Sequence, residues 1–266
     1  MSGTLTFPDH LSTKISPYLP PAKPSNDLPH LTLTFATSLD SALSLAPGTQ
    51  THLSGPLSKA MTHYLRSFHS AILVGVSTAV ADDPGLNCRI EGVVGNGVER
   101  QPIPIILDPK GRWEVTDSSR VINTAKEGKG RAPFVLVASG NWQEDVLAER
   151  KKVVERYGGG YIGVDLDDNG RFRWKDILLT LKRELGVESV MVEGGGSVIN
   201  SLLEDEGSRQ LVGGVIVTIA PTWLGKGGVV VSPDRKVGGD DKYTPPRLKE
   251  VKWIPMEEDV VLCGRL

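Results

Sequence analysis

Two junctions between a predicted strand and a predicted helix carry the residues best suited to binding a phosphorylated ligand. In the segment SVMVEGGGSVINSLLE, a strand of buried type runs into Glu193 and three glycines, and a helix begins near Ser197. Glycines let backbone N–H groups approach a phosphate closely, and a helix N-terminus adds about half a positive charge. The turn lacks the GxGxxG spacing of a dinucleotide fingerprint. A phosphate cradle and an ordinary tight turn therefore both remain open.

The second junction lies in AILVGVSTAVADDPGLNCR, with Gly75 at the strand end and Ser77 or Thr78 as a helix cap. Two helix N-termini that converge at one edge of a parallel sheet could hold the two halves of a dinucleotide pyrophosphate. Asp82 and Asp83, taken alone, indicate only a solvated helix end before a proline. The spacing of the two junctions does not decide whether they meet.

Three cations near these junctions have the same ambiguity. Lys59, Arg66 and Arg89 are each typical of a charged surface, but together they would form a phosphate clamp. Their positions in the fold must decide between the two interpretations.

Sequence motifs for metal and nucleophile chemistry are absent. The five histidines form no HExxH motif, and the chain has no HxE paired with PCxxC, no GxSxG elbow and no GxxxxGK[ST] loop. We therefore expect no bound metal. Two phosphate cradles without an evident nucleophile favour a cofactor enzyme, in which the bound molecule carries the difficult chemistry.

The elements that would position these residues alternate between strands and amphipathic helices. Strands are expected at 31–36, 71–76, 103–107, 134–138, 161–164, 189–192 and 215–219, with weaker ones near 251–254 and 260–263. The clearest helix has Ser54 as its N-cap and Pro56 in its first turn, and others are expected at 141–157 and 173–185. This alternation predicts an α/β fold with a mostly parallel sheet covered by helices on both faces. The last three strands are expected to be antiparallel additions at one edge.

Proline and glycine suggest how the chain is divided. The sequence SPYLPPAKPSNDLP carries five prolines, which exclude helix and central strand, so residues 1–29 are expected to form an extended arm. Residues 30–266 are expected to form one domain, because the alternation of strands and helices has no linker within it. Glycine clusters at 92–97, 128–130, 158–160 and 238–239 are expected to be surface insertions.

Composition narrows the class of protein. The 266 residues contain 30 Lys+Arg and 32 Asp+Glu, and the formal net charge of -2 argues against nucleic acid or an anionic membrane as partner. We expect no transmembrane helix and no signal peptide. Cys88 and Cys263 give neither a disulfide framework nor a zinc knuckle, and two free thiols indicate a reducing compartment. A soluble cytoplasmic protein is the expectation.

Five ordered segments carry a resemblance to a known family: TLTFATSLD, THLSGPLSKAMTHYLRSFHSAILVGVSTAVADDPGLNCR, PIPIILDPKGRW, VMVEGGGSVINSLL and TIAPTWLG. They closely resemble the reductases of riboflavin biosynthesis, the 2,5-diamino-6-ribosylamino-4(3H)-pyrimidinone 5′-phosphate reductases of stand-alone fungal and archaeal type. The resemblance spans about residues 30–225. It implies a dihydrofolate-reductase-like fold, a homodimer, and NADPH-dependent reduction of a ribosyl side chain to ribityl. The hydride would reach the sugar C1′ of an opened, imine-like form.

The resemblance also implies a set of cofactor-binding residues. The family's contacts match Ala36, His52, Thr78, Asp82, Leu107, Asp108, Pro109, Lys110, Phe172, Gly194, Gly195, Gly196, Ser197 and Val198. The match of His52 is by spacing only. The three glycines with Ser197 and Val198 correspond to the turn on the pyrophosphate. On the adenosine side, Lys110 or Arg112 would pair with a 2′-phosphate and select NADPH over NADH.

On the substrate side, the resemblance implies that the ribose phosphate and the pyrimidine are held by Arg66, Leu86, Arg89, Glu193 and Gln50. Arginine suits a phosphate monoester through its planar fork, and a carboxylate suits the N–H donors of a diaminopyrimidine. Glu193 is also the candidate catalytic residue, as a proton relay. Catalysis would otherwise consist of holding nicotinamide C4 and sugar C1′ within reach of each other.

Two departures from the bacterial relatives accompany this resemblance. Where those relatives usually read SLDGKIA, this chain reads SLDSALS over 38–44, so the loop over the nicotinamide is expected to be shaped differently. The zinc motif of the bacterial deaminase domain is absent, which indicates a stand-alone reductase. A related enzyme on another pyrimidine or pteridine, and a nucleotide-binding protein without turnover, remain alternatives. Arg66 with Arg89 argues against a folate, which has no sugar phosphate.

Overall fold

The computed structural model describes residues 3–22, 27–140, 144–235 and 245–266. The strands are β1 His30–Thr37, β2 Ala42–Ser44, β3 Ala71–Gly75, β4 Ile103–Leu107, β5 Phe134–Ala138, β6 Gly160–Val164, β7 Ser189–Gly194, β8 Val212–Ile219, β9 Val229–Val230, β10 Lys249–Met256 and β11 Asp259–Arg265. The helices are α1 Asp9–Ile15, α2 Pro56–Arg66, α3 Val76–Asp82, α4 Arg120–Lys126, α5 Glu144–Glu155, α6 Trp174–Leu185, α7 Gly196–Glu204 and α8 Glu206–Arg209. The predicted strands and helices are confirmed with shifted ends, and residues 141–143 of one predicted helix lie outside the described residues. The predicted cap Ser77 or Thr78 was wrong, because α3 begins at Val76 with Gly75 as its N-cap. The pair β2 and β9 was not predicted, because strands of two or three residues carry no alternation to recognise.

Nine of these strands form one sheet in the order β10-β11-β8-β1-β7-β3-β4-β5-β6. Every neighbouring pair from β8 to β6 is parallel, whereas β11 runs antiparallel to both β8 and β10. The mostly parallel sheet with antiparallel strands at one edge is therefore confirmed. Grouping the strand at 215–219 with the antiparallel additions was wrong. The helices α7 and α8 lie between β7 and β8 and return the chain to the same end of the sheet, so β8 enters parallel to β1.

Helices cover the sheet on both faces, so the central strands are buried throughout. All five residues of β3 and all five of β4 are buried. Successive residues of β3 point to opposite faces: Leu73 packs in the cluster that contains α6 and α7, and Ile72 packs in the cluster that contains α4. A strand enclosed in this way is uniformly apolar, which the sequence of β3 shows.

The start of α2 is fixed by a carboxylate from a distant strand. Pro56 occupies the first helical position, so the N-cap is Gly55 and not the predicted Ser54. The side chain of Asp259 accepts hydrogen bonds from the Gly55 N–H at 2.9 Å and the Ser58 hydroxyl at 2.6 Å. These bonds satisfy donors that a helix N-terminus leaves free. They therefore attach α2, the helix that carries Arg66, to β11.

The N-terminal segment is not the extended arm that the prolines predicted. Residues 9–15 lie before the proline cluster and form α1, and Leu11 and Ile15 on one side of it are buried. These residues pack with Tyr18 against α2 and the edge strands. Leu5 forms a parallel bridge with Ile90. The segment is therefore part of the core and of the wall beside residue 90.

Within the described residues, no helix is long and apolar enough to cross a membrane. In the same part of the chain, no group of three or more His, Cys, Asp or Glu side chains is arranged to hold a metal ion. Cys88 and Cys263 are free and buried. The cytoplasmic location expected from the sequence stays a prediction, and the glycine pair at 238–239 lies outside the described residues.

Two buried histidines make the folded state sensitive to mild acid. Burial lowers the pKa of His69 to about 4 and that of His63 to about 3. His69 Nδ1 lies 2.7 Å from the Leu65 carbonyl and Nε2 lies 2.8 Å from the Thr32 hydroxyl, an arrangement that suits the neutral ring. The unfolded chain takes up these protons near pH 6.5, whereas the folded chain does not. The free energy of unfolding must therefore fall as the pH falls below about 6.5.

We expect that fall to be about 1 kcal/mol per buried histidine between pH 7 and pH 5.5. His69→Asn should be less stable than the parent at pH 7, because packing around the ring is lost, and should show a smaller change between the two pH values. Urea unfolding at both pH values measures this, with substitution of the exposed His10 by Asn as the control. An undiminished pH dependence in His69→Asn would contradict the assignment.

Candidate active site

The two glycine-bearing junctions are neighbours in the folded chain. In the sheet, β7 lies directly beside β3, and Val74 pairs with Gly194. A Cβ built on Gly195 would lie 3.9 Å from the Gly75 Cα and 3.2 Å from the Thr78 hydroxyl oxygen. Parallel strands bring their carboxyl ends to one edge, and this is why the junctions at the ends of β3 and β7 meet.

Backbone geometry explains why the second junction needs glycine. Gly194 and Gly195 have φ of 138° and 86°, a region that other residues rarely adopt. The turn places Gly195 at the N-cap of α7, and no side chain caps this helix. The first N–H groups of α7 are therefore left available for a ligand.

A cavity of about 880 Å³, called here the glycine cavity, opens at this turn. The predicted cofactor residues that line it are Ala36, Thr78, Asp82, Leu107, Pro109, Phe172, Gly194, Gly195, Gly196, Ser197 and Val198. Three predicted cofactor residues do not line it. Lys110 and His52 are exposed beside it, and Asp108 is 1% exposed with its carboxylate accepting the Trp113 N–H at 2.7 Å. Asp108 therefore stabilises the turn after β4 from the protein interior and does not line the glycine cavity.

A second cavity of about 1190 Å³, called here the arginine cavity, lies on the other side of the end of β3. All five predicted substrate residues line it: Arg66, Leu86, Arg89, Glu193 and Gln50. Three residues, Thr78, Asp82 and Glu193, line both cavities. The two cavities therefore meet where β3 and β7 end.

Arg66 and Glu193 form a two-pronged ion pair at this meeting point. Arg66 Nε lies 2.6 Å from Oε1 of Glu193, and Nη2 lies 2.5 Å from Oε2. Arg66 Nη1 also donates to the Asn87 carbonyl at 2.8 Å. The side chains are 13% and 12% exposed. Burial opposes the charge on Arg66, but the charge of Glu193 and the hydrogen bonds to it outweigh burial and raise the pKa of Arg66.

Arg89 lies against a buried histidine instead of a carboxylate. Arg89 Nη2 is 2.9 Å from Nε2 of His63, and the backbone N–H of Arg89 is 3.1 Å from Nδ1 of the same ring. Burial, with the charges of Arg66 and Arg89, holds the pKa of His63 at about 3, so the ring is neutral at physiological pH. His63 was not singled out from the sequence, and its position three residues before Arg66 on α2 was the available signal.

Two adjacent aspartates, at the end of α3 and in the loop that follows it, have different roles. Asp83 adopts a left-handed conformation and its carboxylate accepts the Arg120 N–H at 2.9 and 3.1 Å, so it holds the start of α4. Asp82 lines both cavities, and burial raises its pKa while the neighbouring His52 opposes that rise. Leu86 in the same loop has a φ of 44°, an uncommon conformation for a bulky residue, and its side chain is buried.

Other residues of the two cavities were missed in the sequence. Arg171 lines the glycine cavity beside Arg112, which was a candidate from the sequence, and Arg120 and Lys129 line the arginine cavity. The glycine-rich loop at 92–97, expected to be a surface insertion, contributes Val93, Val94, Gly95 and Gly97 to the wall of the arginine cavity. These residues are far apart in the sequence, so no motif connects them.

The turn in the SLDSALS segment closes part of the glycine cavity. Ser41 has a φ of 63°, at the position where the bacterial pattern has glycine. The carboxylate of Asp40 accepts hydrogen bonds from the N–H groups of Leu224 and Gly225, at 3.1 and 2.7 Å. The following strand β2 pairs with β9, and Leu43 and Ser44 line the cavity. Ser41 therefore adopts the left-handed backbone conformation that glycine favours at this point of the turn.

Known proteins share both the sequence and the architecture of this chain. The RibD C-terminal domain family matches residues 29–262. The 2,5-diamino-6-ribosylamino-4(3H)-pyrimidinone 5′-phosphate reductase of Debaryomyces hansenii is 40% identical over 94% of this chain and 93% of its own length. The reductase of the same name from Eremothecium gossypii is 39% identical over 96% of each.

A solved structure of the Saccharomyces cerevisiae riboflavin biosynthesis reductase superposes with a TM-score of 0.75 at 34% identity, covering 97% of this chain and 99% of that one. The dihydrofolate-reductase-like fold is thereby confirmed. The resemblance to the reductases of riboflavin biosynthesis is confirmed as well. The chain belongs to the RibD C-terminal domain family.

Proposed function

We propose that this protein is the NADPH-dependent reductase that converts the ribosyl side chain of 2,5-diamino-6-ribosylamino-4(3H)-pyrimidinone 5′-phosphate to ribityl in riboflavin biosynthesis. The observation that carries the proposal is that a glycine-lined cavity and an arginine-lined cavity meet at Thr78, Asp82 and Glu193. Hydride transfer requires a cofactor and a substrate to touch at one point. The names of the fungal relatives support this substrate.

The glycine cavity fits a nicotinamide dinucleotide. A Cβ on Gly194 would meet no described atom within 4 Å, so the turn offers open space at its surface. The uncapped N-terminus of α7 suits a pyrophosphate. Thr78 supplies a hydroxyl beside Gly195, and Phe172 offers an aromatic side chain in the same cavity. When bound there, the cofactor supplies the hydride.

The arginine cavity fits a phosphorylated pyrimidine. The Glu193 carboxylate can accept hydrogen bonds from amino and ring N–H groups, because each of its oxygens keeps a lone pair beyond the bond to Arg66. Arg66 fixes the direction of that carboxylate. Leu86 provides an apolar wall, and Gln50 lies at the rim. We therefore propose that these residues hold the substrate and that Glu193 is the proton relay.

The direct test of this function is the loss of NADPH absorbance with the ribosyl diaminopyrimidine phosphate as substrate. We expect NADPH oxidation and a ribityl product by mass spectrometry. The deaminated pyrimidine, a pteridine and a folate serve as comparison substrates. Turnover only with a pteridine or folate, or tight NADPH binding without turnover on any substrate, would contradict the proposal.

The preference for NADPH is expected to depend on Arg112 and not on Lys110. Arg112 lines the glycine cavity, and no described carboxylate forms an ion pair with it, whereas Lys110 lies outside that cavity. A charge-assisted hydrogen bond contributes about 1.5–3 kcal/mol, so Arg112→Ala should weaken NADPH binding roughly tenfold or more and leave NADH binding within about threefold. Fluorescence titration with both cofactors measures this, with Lys110→Ala as the matched control. Equal losses for NADPH and NADH would refute the role of Arg112.

A homodimer is the assembly that we propose. The edge strand β10 exposes 60% of Trp253 and 41% of Val251, and an exposed apolar strand edge favours pairing with another chain. Sedimentation equilibrium should give the mass of two 28.7 kDa chains, and Trp253→Arg should shift the mass toward one chain. A single-chain mass at micromolar concentration for the parent protein would contradict the dimer.

A further inference from the structure

The cations that line the arginine cavity differ in whether a carboxylate balances their charge. Arg66 is already paired, because both of its bonds to Glu193 and a third to the Asn87 carbonyl occupy three of its five N–H donors. Its charge is therefore balanced within the protein. A phosphate monoester carries about 1.5 to 2 negative charges at neutral pH and needs cations whose charge is not already balanced.

Arg89 has no such balance. Both nitrogens of the His63 ring face N–H groups of Arg89, at 3.1 Å from the backbone and 2.9 Å from the guanidinium. A neutral imidazole accepts at only one nitrogen, so the ring cannot accept both contacts. In the part of the chain that the structure describes, no carboxylate lies within ion-pair distance of Arg89. The guanidinium therefore lies against a neutral ring, which leaves its charge unbalanced.

Arg120 is a second guanidinium of this kind, and the exposed Lys59 also lines this cavity without an ion pair among the described residues. Its backbone N–H is fixed by Asp83, and its side chain passes over Gly85, where an added Cβ would lie 3.7 Å from the Arg120 Nε. Arg89, in the loop after α3, and Arg120, the first residue of α4, line the same cavity. Burial lowers the pKa of Arg89 most, and the charges of Arg66 and Arg120 lower it further. These cations therefore lie close enough to repel one another. Within the described residues, no ion pair relieves the charge of Arg120.

We propose that Arg120 joins Arg89 in binding the phosphate group of the substrate, and that Arg66 acts as a positioning residue for Glu193. Two guanidinium groups of unbalanced charge match a phosphate dianion, which offers three oxygens to their planar forks. Lys129 lines the same cavity but is paired with Glu127 at 2.7 Å. The inference rests on the proposed function, because it takes the substrate to be a sugar phosphate.

The test compares the parent protein, Arg120→Gln and Arg100→Gln on the substrate and on its dephosphorylated nucleoside. Arg100 is an exposed residue that does not line the arginine cavity, so its substitution removes the same charge without touching the site. We expect Arg120→Gln to raise KM for the phosphorylated substrate about tenfold or more, with kcat within about threefold and NADPH affinity unchanged. On the nucleoside, Arg120→Gln and the parent should have equal KM values. Arg100→Gln should match the parent on both substrates.

An unchanged KM in Arg120→Gln, or an equal rise on the phosphorylated substrate and the nucleoside, would overturn the inference. Should Arg120→Gln fail to fold, Arg120→Lys tests the same point, because it keeps the charge and loses the fork, and an intermediate KM is expected.

Calorimetry with ribose 5-phosphate and with ribose separates this inference from the proposed function. A parent protein that binds ribose 5-phosphate through Arg120 but does not oxidise NADPH would refute the function and keep the phosphate site. NADPH oxidation with a KM independent of Arg120 would keep the function and refute the site.

Discussion

The ion pair between Arg66 and Glu193 is the interaction on which the site depends. It joins α2 to the end of β7, and it directs the Glu193 carboxylate, which lines the arginine cavity. Removing one partner of such a buried pair costs about 3–5 kcal/mol, because a desolvated charge is left behind. The pair therefore fixes the carboxylate direction before any ligand arrives, which is the preorganisation that a proton relay requires.

The order of the strands brings this pair and the glycine turn together. Because β7 enters the sheet between β1 and β3, the ends of three strands that are distant in sequence become neighbours. The chain leaves β3 into α3 and β7 into α7, so two helix starts lie side by side at one edge. The glycine cavity opens on one side of these strand ends, and the arginine cavity opens on the other. A ligand in each would meet at the residues common to both.

Much of this arrangement could be predicted from the sequence, and the failures have physical causes. The strand β3 and the helix α2 could be recognised in the sequence. A strand buried on both faces is uniformly apolar, and a helix buried on one face repeats its apolar residues at helical spacing. Asp108 was misplaced because a resemblance names a position but does not show which way its side chain points. Arg120 was missed because no motif connects it to Arg89: the two residues share a cavity only because Asp83 holds the start of α4 beside the loop after α3. The helix α1 was missed because the extended conformation expected of the proline cluster was also assigned to the residues before it.

In the proposed function, the Glu193 carboxylate acts on the substrate and not on the cofactor. The most direct measurement is Glu193→Gln, which keeps the shape and one acceptor for Arg66, assayed for turnover and titrated with NADPH. We expect kcat to fall at least about a hundredfold, the low end of what general acid–base catalysis contributes, while the dissociation constant for NADPH stays within a few fold. Weakened NADPH binding with turnover restored at saturating cofactor would contradict it.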